Sequence, residues 1–323
     1  MLHKLALTKA LVVLALLMFL AGCERRNPLR IGLNIWPGYE FLYLAQELGY
    51  YKEEGVDVQL VDFSSLADAR RSFERGQIDG LGTTIVEVVL AGENSADPLK
   101  IVSVVDYSNG ADVIIAKPGL SDLKALKGSK VGVELGSICV YVLARALESA
   151  GMTMADIVPV SKDQASMGAD LRAGLLDAVV TYPPTSTELL RERTGEVIFS
   201  TAQIPREVVD VIAVGETAIK SRPKDVAALL RAFYRAQDYL AKHPAEALRI
   251  MSAREGVTPE EFSISLTDGM RMLSASDQAL YLREGRIKPI VAGTIDVLRQ
   301  NRLIIQPKPE HTYYTDFFTT EAR

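Results

Sequence analysis

Residues 29–61, LRIGLNIWPGYEFLYLAQELGYYKEEGVDVQLV, decide how the rest of the chain is read. Leu29 to Asn34 alternates enough to form a strand. Trp36-Pro37-Gly38-Tyr39 is turn chemistry, because proline fixes φ and glycine relaxes it. Phe41 to Leu48 is helical, Gly49 is placed to cap its C-terminus, and Val56 to Val61 is a second strand. The unit then continues. Ser64-Ser65 cap a helix through Phe73 that Gly76 ends, and Asp79 to Gly82 starts a third strand. A helix over Ile85–Ala91 and a fourth strand over Lys100 to Val105 follow. A βαβαβαβ order predicts a mostly parallel sheet with helices on both faces.

The pattern restarts beyond Tyr107. Asp112 to Ala116, Lys130 to Val133, Ile157 to Val160, Asp177 to Thr181, Val197 to Phe199 and Asp210 to Val214 read as strands. Ser121 to Leu126 reads as a short helix and Ser137 to Ala150 as a long one. From Pro223 the chain is mainly helical, over 223–241, 244–254, 259–269 and 289–300, and from Gln306 it is proline-rich, then aromatic. Two α/β units followed by helices predict a bilobal α/β protein with two mainly parallel sheets and a cleft between the lobes. Lobe one is expected over 29–108 plus 215–323 and lobe two over 109–214, with crossovers near Tyr107–Asp112 and Asp210–Gly215. Ligands of open α/β sheets bind beyond the carboxyl ends of the strands, so the cleft is the expected pocket.

The first residues read as an address. Lys4 and Lys9 precede an unbroken apolar run from Ala10 to Ala21, too short to span a bilayer but suited to a secretory leader. Leu20-Ala21-Gly22-Cys23 resembles a bacterial lipobox, which implies a signal peptide over 1–22, cleavage before Cys23 and lipidation of that cysteine. Acyl chains at Cys23 would hold the protein on a membrane surface, in the periplasm or at the cell surface. Residues 23–28 then form a short polar tether, and Cys139 remains as a single thiol with no intrachain partner.

Composition narrows the function. The chain has 323 residues, 48% apolar and 24% charged, which excludes general disorder. Lys and Arg number 36 against 41 Asp and Glu, a net charge of −5 that argues against a nucleic-acid partner. Three histidines and no metal-ligand spacing argue against a metal site. There is no G-x-S-x-G, P-loop or G-x-G-x-x-G, so neither a cofactor nor a catalytic set is expected.

A set of short matches lies in order along the chain. Ile31–Asn34, Trp36–Gly38 and Tyr43–Val58 are followed by Gly76–Gly80, Ser108–Asp112, Gly132–Ser137 and Leu176–Pro184. Together these stretches resemble the substrate-binding proteins of ABC importers that serve nitrate, taurine, aliphatic sulfonates and thiamine-pyrimidine precursors. The resemblance implies a type II periplasmic-binding fold, two lobes hinged by two crossovers, and transport of a small solute handed to a permease and ATPase. A ligand-sensing partner of a membrane receptor is the alternative on the same fold. A pyrimidine synthase also uses the fold, with His and Cys residues in its own site; here only His243 and His311 follow the leader, and there is no cysteine cluster.

The expected ligand-binding residues sit at the strand-end loops. Trp36 follows the first strand as an aromatic wall, or else packs on the C-terminal helices, and Tyr39 offers a polar tip on an apolar body. Thr83 and Thr84 follow the third strand, where hydroxyls and N–H groups can bind a polar ligand or simply cap a helix. Asn109 and Asp112 lie at the first crossover and Asp210 at the return crossover, for ligand or for the hinge. Ser137 opens a helix, and Tyr182 follows the strand ending at Thr181. Glu87 reads as a solvated or interhelical charge. The loops WPGYE, GTTIVE, SNGAD, ELGSIC and TYPPTST hold no Arg or Lys, but carry Glu40, Glu87, Asp112 and Glu134. A carboxylate facing the cleft needs a cation or N–H donors, so the expected solute is neutral or cationic and contains nitrogen.

Overall fold

The computed structural model describes residues 27–321. Cys23 and the expected leader lie outside them. The elements of the first unit are β1 (Leu29–Leu33), α1 (Glu40–Glu47), α2 (Tyr50–Glu53), β2 (Val58–Asp62), α3 (Leu66–Glu74), β3 (Gly80–Thr84), α4 (Ile85–Asn94) and β4 (Leu99–Ser108). The second comprises β5 (Val113–Ala116), β6 (Lys130–Val133), α5 (Ile138–Ser149), β7 (Val158–Ser161), α6 (Gln164–Arg172), β8 (Ala178–Thr181), α7 (Thr185–Arg191) and β9 (Glu196–Ser200). Then come β10 (Val209–Gly215), α8 (Glu216–Ser221), α9 (Pro223–Lys242), α10 (Pro244–Glu255), α11 (Pro259–Thr267), β11 (Met270–Met272), α12 (Ile287–Gln300) and α13 (Phe317–Glu321). Gly49, at φ 75°, makes the left-handed turn between α1 and α2 that a side chain would resist.

Two sheets form the two lobes, in the orders β11-β4-β10-β3-β1-β2 and β7-β6-β8-β5-β9. The bilobal α/β architecture agrees with the sequence, but the sheets are mixed rather than mainly parallel. β1 pairs parallel with β2 and β3, whereas β10 runs antiparallel to both β3 and β4. In lobe two β6 is parallel to β7 and β8, and β5 is antiparallel to β8 and β9. The reason is the double crossover. β4 leaves lobe one toward the hinge and β10 enters from it, so neighbours in one sheet must run in opposite directions.

The same observation moves a boundary. The expected division at 214/215 falls inside β10, which is a central strand of the first sheet. Lobe two therefore ends with β9, and the return crossover is the segment 201–208. The two crossovers are bonded side by side. Ser108 Oγ lies 2.6 Å from Thr201 Oγ1, Gly110 N–H donates to Thr201 Oγ1 at 2.9 Å, and Thr201 N–H donates to the Asp112 carbonyl at 3.0 Å.

Burial follows position in the sheet. All five residues of β3 and all seven of β10 are buried, as befits central strands, while no residue of edge strand β2 is fully buried. Apolar faces of α4, α5 and α9 complete the core against the sheets. Helix 259–269 is shorter than its sequence suggests because residues 270–272 add to the sheet edge as β11, antiparallel to β4. The helices α6, α7 and α8 have weak sequence signals and emerge only in the fold.

Candidate functional site

The carboxyl ends of β1, β3, β6 and β8 and the start of β10 point into the gap between the lobes. There the lobes meet closely and enclose a cavity of about 10 Å³, room for roughly one water centre. Asn34, Trp36, Thr84 and Asp210 line it from lobe one, and Asp112, Ile138 and Tyr182 from the hinge and lobe two. Leu66 and Val208 close the rest.

Aromatic contacts bridge the gap. Trp36 meets Tyr182 edge to face, with ring centroids 5.9 Å apart and planes at 79°. Asn34 Nδ2 donates to the Tyr182 hydroxyl at 3.2 Å. Trp36 Nε1 donates to Asp106 Oδ2 at 3.2 Å, and the Tyr39 hydroxyl donates to Asp210 Oδ1 at 2.5 Å. The turn at Pro37–Tyr39 makes this possible. A Cβ on Gly38 would stand 2.1 Å from Asp106 Oδ2, so only glycine lets the backbone come so near that carboxyl.

Five carboxyls are buried around the cavity: Glu87 and Asp106 are 0% exposed, Asp210 3%, Asp112 and Glu134 4%. Among the described residues none of the five forms an ion pair with Lys, Arg or His. Asp106 Oδ1, Asp112 Oδ2, Glu134 Oε2 and Asp210 Oδ2 have no hydrogen-bond partner. Burial pushes Asp112 up to about 6 and Glu134 up to about 7, with the Ser108 hydroxyl and the Ala67 N–H respectively holding them back. Burial also raises Asp106 and Asp210, and the charge of Asp106 raises Asp210 further. Burial likewise raises Glu87, opposed by bonds from Thr84 and Ile138.

A wider hollow of about 780 Å³ lies on the outer face of lobe one, around Tyr43, Asp62 and Arg254. Two of its acids have a cation. Arg254 pairs with Glu40 and with Asp62, each at 2.9 Å, and its guanidinium lies over the Tyr43 ring. The cleft differs in leaving its acids without cations.

The sequence profile described as "NMT1/THI5 like" matches residues 36–247, which include nearly all of both lobes' strands. The chain belongs to the NMT1/THI5-like family. Similar proteins include the formylaminopyrimidine-binding protein of Halalkalibacterium halodurans, 24% identical over 75% of this chain and 78% of that protein. The 4-amino-5-hydroxymethyl-2-methylpyrimidine phosphate synthase of Aspergillus parasiticus is 26% identical over 65% of each chain. In structure the chain is similar to the alkanesulfonate-binding protein SsuA from Xanthomonas axonopodis pv. citri bound to MOPS. The TM-score is 0.75 at 19% identity, covering 88% of this chain and 96% of that one. The shared architecture is the two-lobed fold of these binding proteins.

Within this family framework the site residues expected from sequence divide into groups. Trp36, Thr84, Asp112, Tyr182 and Asp210 line the cavity. Trp36 meets Tyr182 of lobe two. Tyr39 and Thr83 stand one bond behind, on Asp210 and Glu87. Ser137 is spent on local structure: its Oγ donates to the Glu134 carbonyl at 2.9 Å and accepts the Cys139 N–H at 3.2 Å. Asn109 is not brought to the cavity, and its N–H donates to the Gly269 carbonyl at 2.8 Å. Glu40, counted among the strand-end acids, turns away to Arg254.

One residue escaped the sequence reading, and for another the interhelical of its two alternatives holds. Asp106 follows Val104 and Val105 in the buried part of β4, and a charge inside a buried strand is a signal in itself. Glu87, read as a solvated or interhelical charge, is fully buried and bonded across the cleft. Its Oε2 accepts Thr84 N–H at 3.1 Å and its Oε1 accepts Ile138 N–H of lobe two at 2.6 Å.

Proposed function

We propose that this protein is an extracytoplasmic solute-binding protein that captures a small, nitrogen-containing cation between its lobes and delivers it to an ABC importer. A lipid anchor at Cys23 would hold it beside the permease and ATPase. The observation that carries the reading is the pair Asp112 and Asp210. Both are buried, both line the interlobe cavity, and each keeps one carboxyl oxygen without a partner. A desolvated acid wants a positive charge or N–H donors, and an ammonium, amidine or protonated N-heterocycle supplies both. Trp36 and Tyr182 add π faces that favour a cation or a flat ring.

The cavity sets the mechanism. A solute larger than water enters only when the lobes part, and the four- and eight-residue crossovers 109–112 and 201–208 are where the chain bends. Ligand then bridges lobe one, through Asp210 and Trp36, to Asp112 at the hinge and Tyr182 of lobe two. The family also contains pyrimidine phosphate synthases, as the Aspergillus relative shows. Against that use, neither His243, stacked on Tyr239 at 4.5 Å, nor His311 lines the cavity.

A thermal-shift panel tests the reading. Amines, amidines and N-heterocycles are expected to raise the melting temperature of the wild-type protein, while taurine, alkanesulfonates and nitrate leave it unchanged. A shift with sulfonates alone overturns the assignment of charge.

A further inference from the structure

The N-termini of α3 and α5 both reach the cavity, where Leu66 and Ile138 line it. Such ends bind anions, because free N–H groups and the helix dipole point outward together. Here each end is already bonded by a carboxylate from the opposite lobe. Glu87, on α4 of lobe one, accepts Ile138 N–H of α5 at 2.6 Å. Glu134, in the β6–α5 loop of lobe two, accepts Ala67 N–H of α3 at 3.1 Å. The exchange is reciprocal, one acid in each direction.

Ordinary capping does not require these glutamates. Ser137 Oγ already accepts the Cys139 N–H at 3.2 Å, and Ser65 Oγ accepts the Asp68 N–H at 3.0 Å. Each helix therefore has its own serine cap, and the glutamate takes a further N–H beside it. Burying a carboxylate with no cation is costly, so the arrangement needs a return. Glu87 is bonded to Thr83, Thr84 and Ile138 and Glu134 to Ala67, with Ser65 and the charges of Glu87 and Asp68 beyond; the basic group that reaches the Glu134 loop, Arg70 beside Gly136, pairs with Glu74 instead.

We propose that Glu87 and Glu134 are specificity determinants, built-in carboxylates that occupy two helix N-termini of the cleft and so exclude anionic solutes such as sulfonates and sulfate. The inference rests on the reading of the interlobe cleft as the ligand site. It explains how a fold able to present helix ends to an oxyanion is closed to one here: the seat is taken by the chain itself.

Methanesulfonate and sulfate are the probes, with binding read by calorimetry on Glu87→Ala, Glu134→Ala and the double variant. The wild type is expected to bind neither anion. Each alanine variant frees an N–H group and is expected to bind methanesulfonate measurably, at least about tenfold more tightly than the detection limit set by the wild type, the double variant more so. Glu134→Ala removes a single hydrogen bond and is the variant that keeps the fold if Glu87→Ala does not. Glu87→Gln and Glu134→Gln keep an acceptor oxygen on the same N–H and are expected to stay blind to anions. The proposal is overturned if folded alanine variants bind methanesulfonate no better than wild type. It is equally overturned if the glutamine variants gain as much as the alanine ones, since charge repulsion rather than occupancy would then be the cause. Failure of every amine to bind the wild type would remove the cationic reading and leave this result intact, because the anion assay reads only the helix ends.

Discussion

Asp106 and Asp210 are register partners on the neighbouring antiparallel strands β4 and β10, and both are buried at the interlobe cleft with one carboxyl oxygen left without a hydrogen-bond partner. Each has an aromatic donor of its own, Trp36 for Asp106 and Tyr39 for Asp210. Burial raises both acids, and the charge of Asp106 raises Asp210 further. Asp210 and Asp112 both line the cavity, with Asp106 buried behind Asp210.

Stability is expected to rise as pH falls from about 8 to about 5. Asp112 and Glu134 titrate near 6 and 7 in the folded chain, above the ordinary carboxyl range, so the folded state binds more protons than the unfolded one in that window. Glu40, near 7, and Glu255, near 9, act in the same direction from outside the cleft. Below the ordinary range the trend reverses, because Arg30 holds Asp79 low and Arg145 holds Glu207 low. Denaturant unfolding across pH checks the curve, and Asp112→Asn should flatten its upper limb. A stability that climbs steadily to alkaline pH would contradict the burial of these acids.

Affinity for a cationic solute is expected to run the other way, strengthening as pH rises through 6 to 7 and Asp112 and Glu134 ionise. Asp112→Asn should weaken binding of the best amine about tenfold or more, by loss of a charge-assisted bond. Asp210→Asn should cost less, because burial and the neighbouring charge of Asp106 both disfavour the ionised form of Asp210. Calorimetry of both variants tests the order, and equal losses would show that Asp210 meets ligand as an anion.

Gly38→Ala is expected to destabilise the protein by about 1–3 kcal/mol, as overpacking does. The new methyl would lie 2.1 Å from Asp106 Oδ2 and 3.0 Å from Trp36 Nε1, forcing their hydrogen bond apart. The unfolding midpoint and the emission of Trp36 should change together. A variant as stable as wild type, with unchanged emission, would mean that the turn yields elsewhere.

Trp36 is the single tryptophan of the chain, and its edge-to-face contact with Tyr182 crosses from lobe to lobe. Lobe motion on ligand binding is expected to shift its emission. A ligand shown by calorimetry to be saturating, yet silent in fluorescence, would place binding away from this contact.

Cys23→Ser is expected to abolish lipidation and leave a protein that no longer enters a detergent phase. Phase partition and the mass of the N-terminal peptide measure this directly, and unchanged partition with cleavage at the same bond would exclude the lipid anchor.

Much of this protein can be read without coordinates. The periodicities of 29–61 define a βαβ unit, the restart after Tyr107 defines a second lobe, and the strand-end loops hold acids and no Lys or Arg. These features are local, since strand period, turn chemistry and serine caps depend on residues only a few positions apart. The tertiary structure alone decided which acids meet. β10 returns between β3 and β4, so Asp210 comes to rest on Asp106 from 104 positions away, turning a strand expected at the lobe boundary into the centre of a sheet. It likewise carried Glu87 to Ile138 and Glu134 to Ala67, while sending Glu40 to Arg254 and leaving Asn109 outside the cavity. The physical reason is that a buried carboxyl goes where an N–H, a hydroxyl or a cation is brought to it. Those donors arrive by sheet order and lobe closure, which no local pattern encodes.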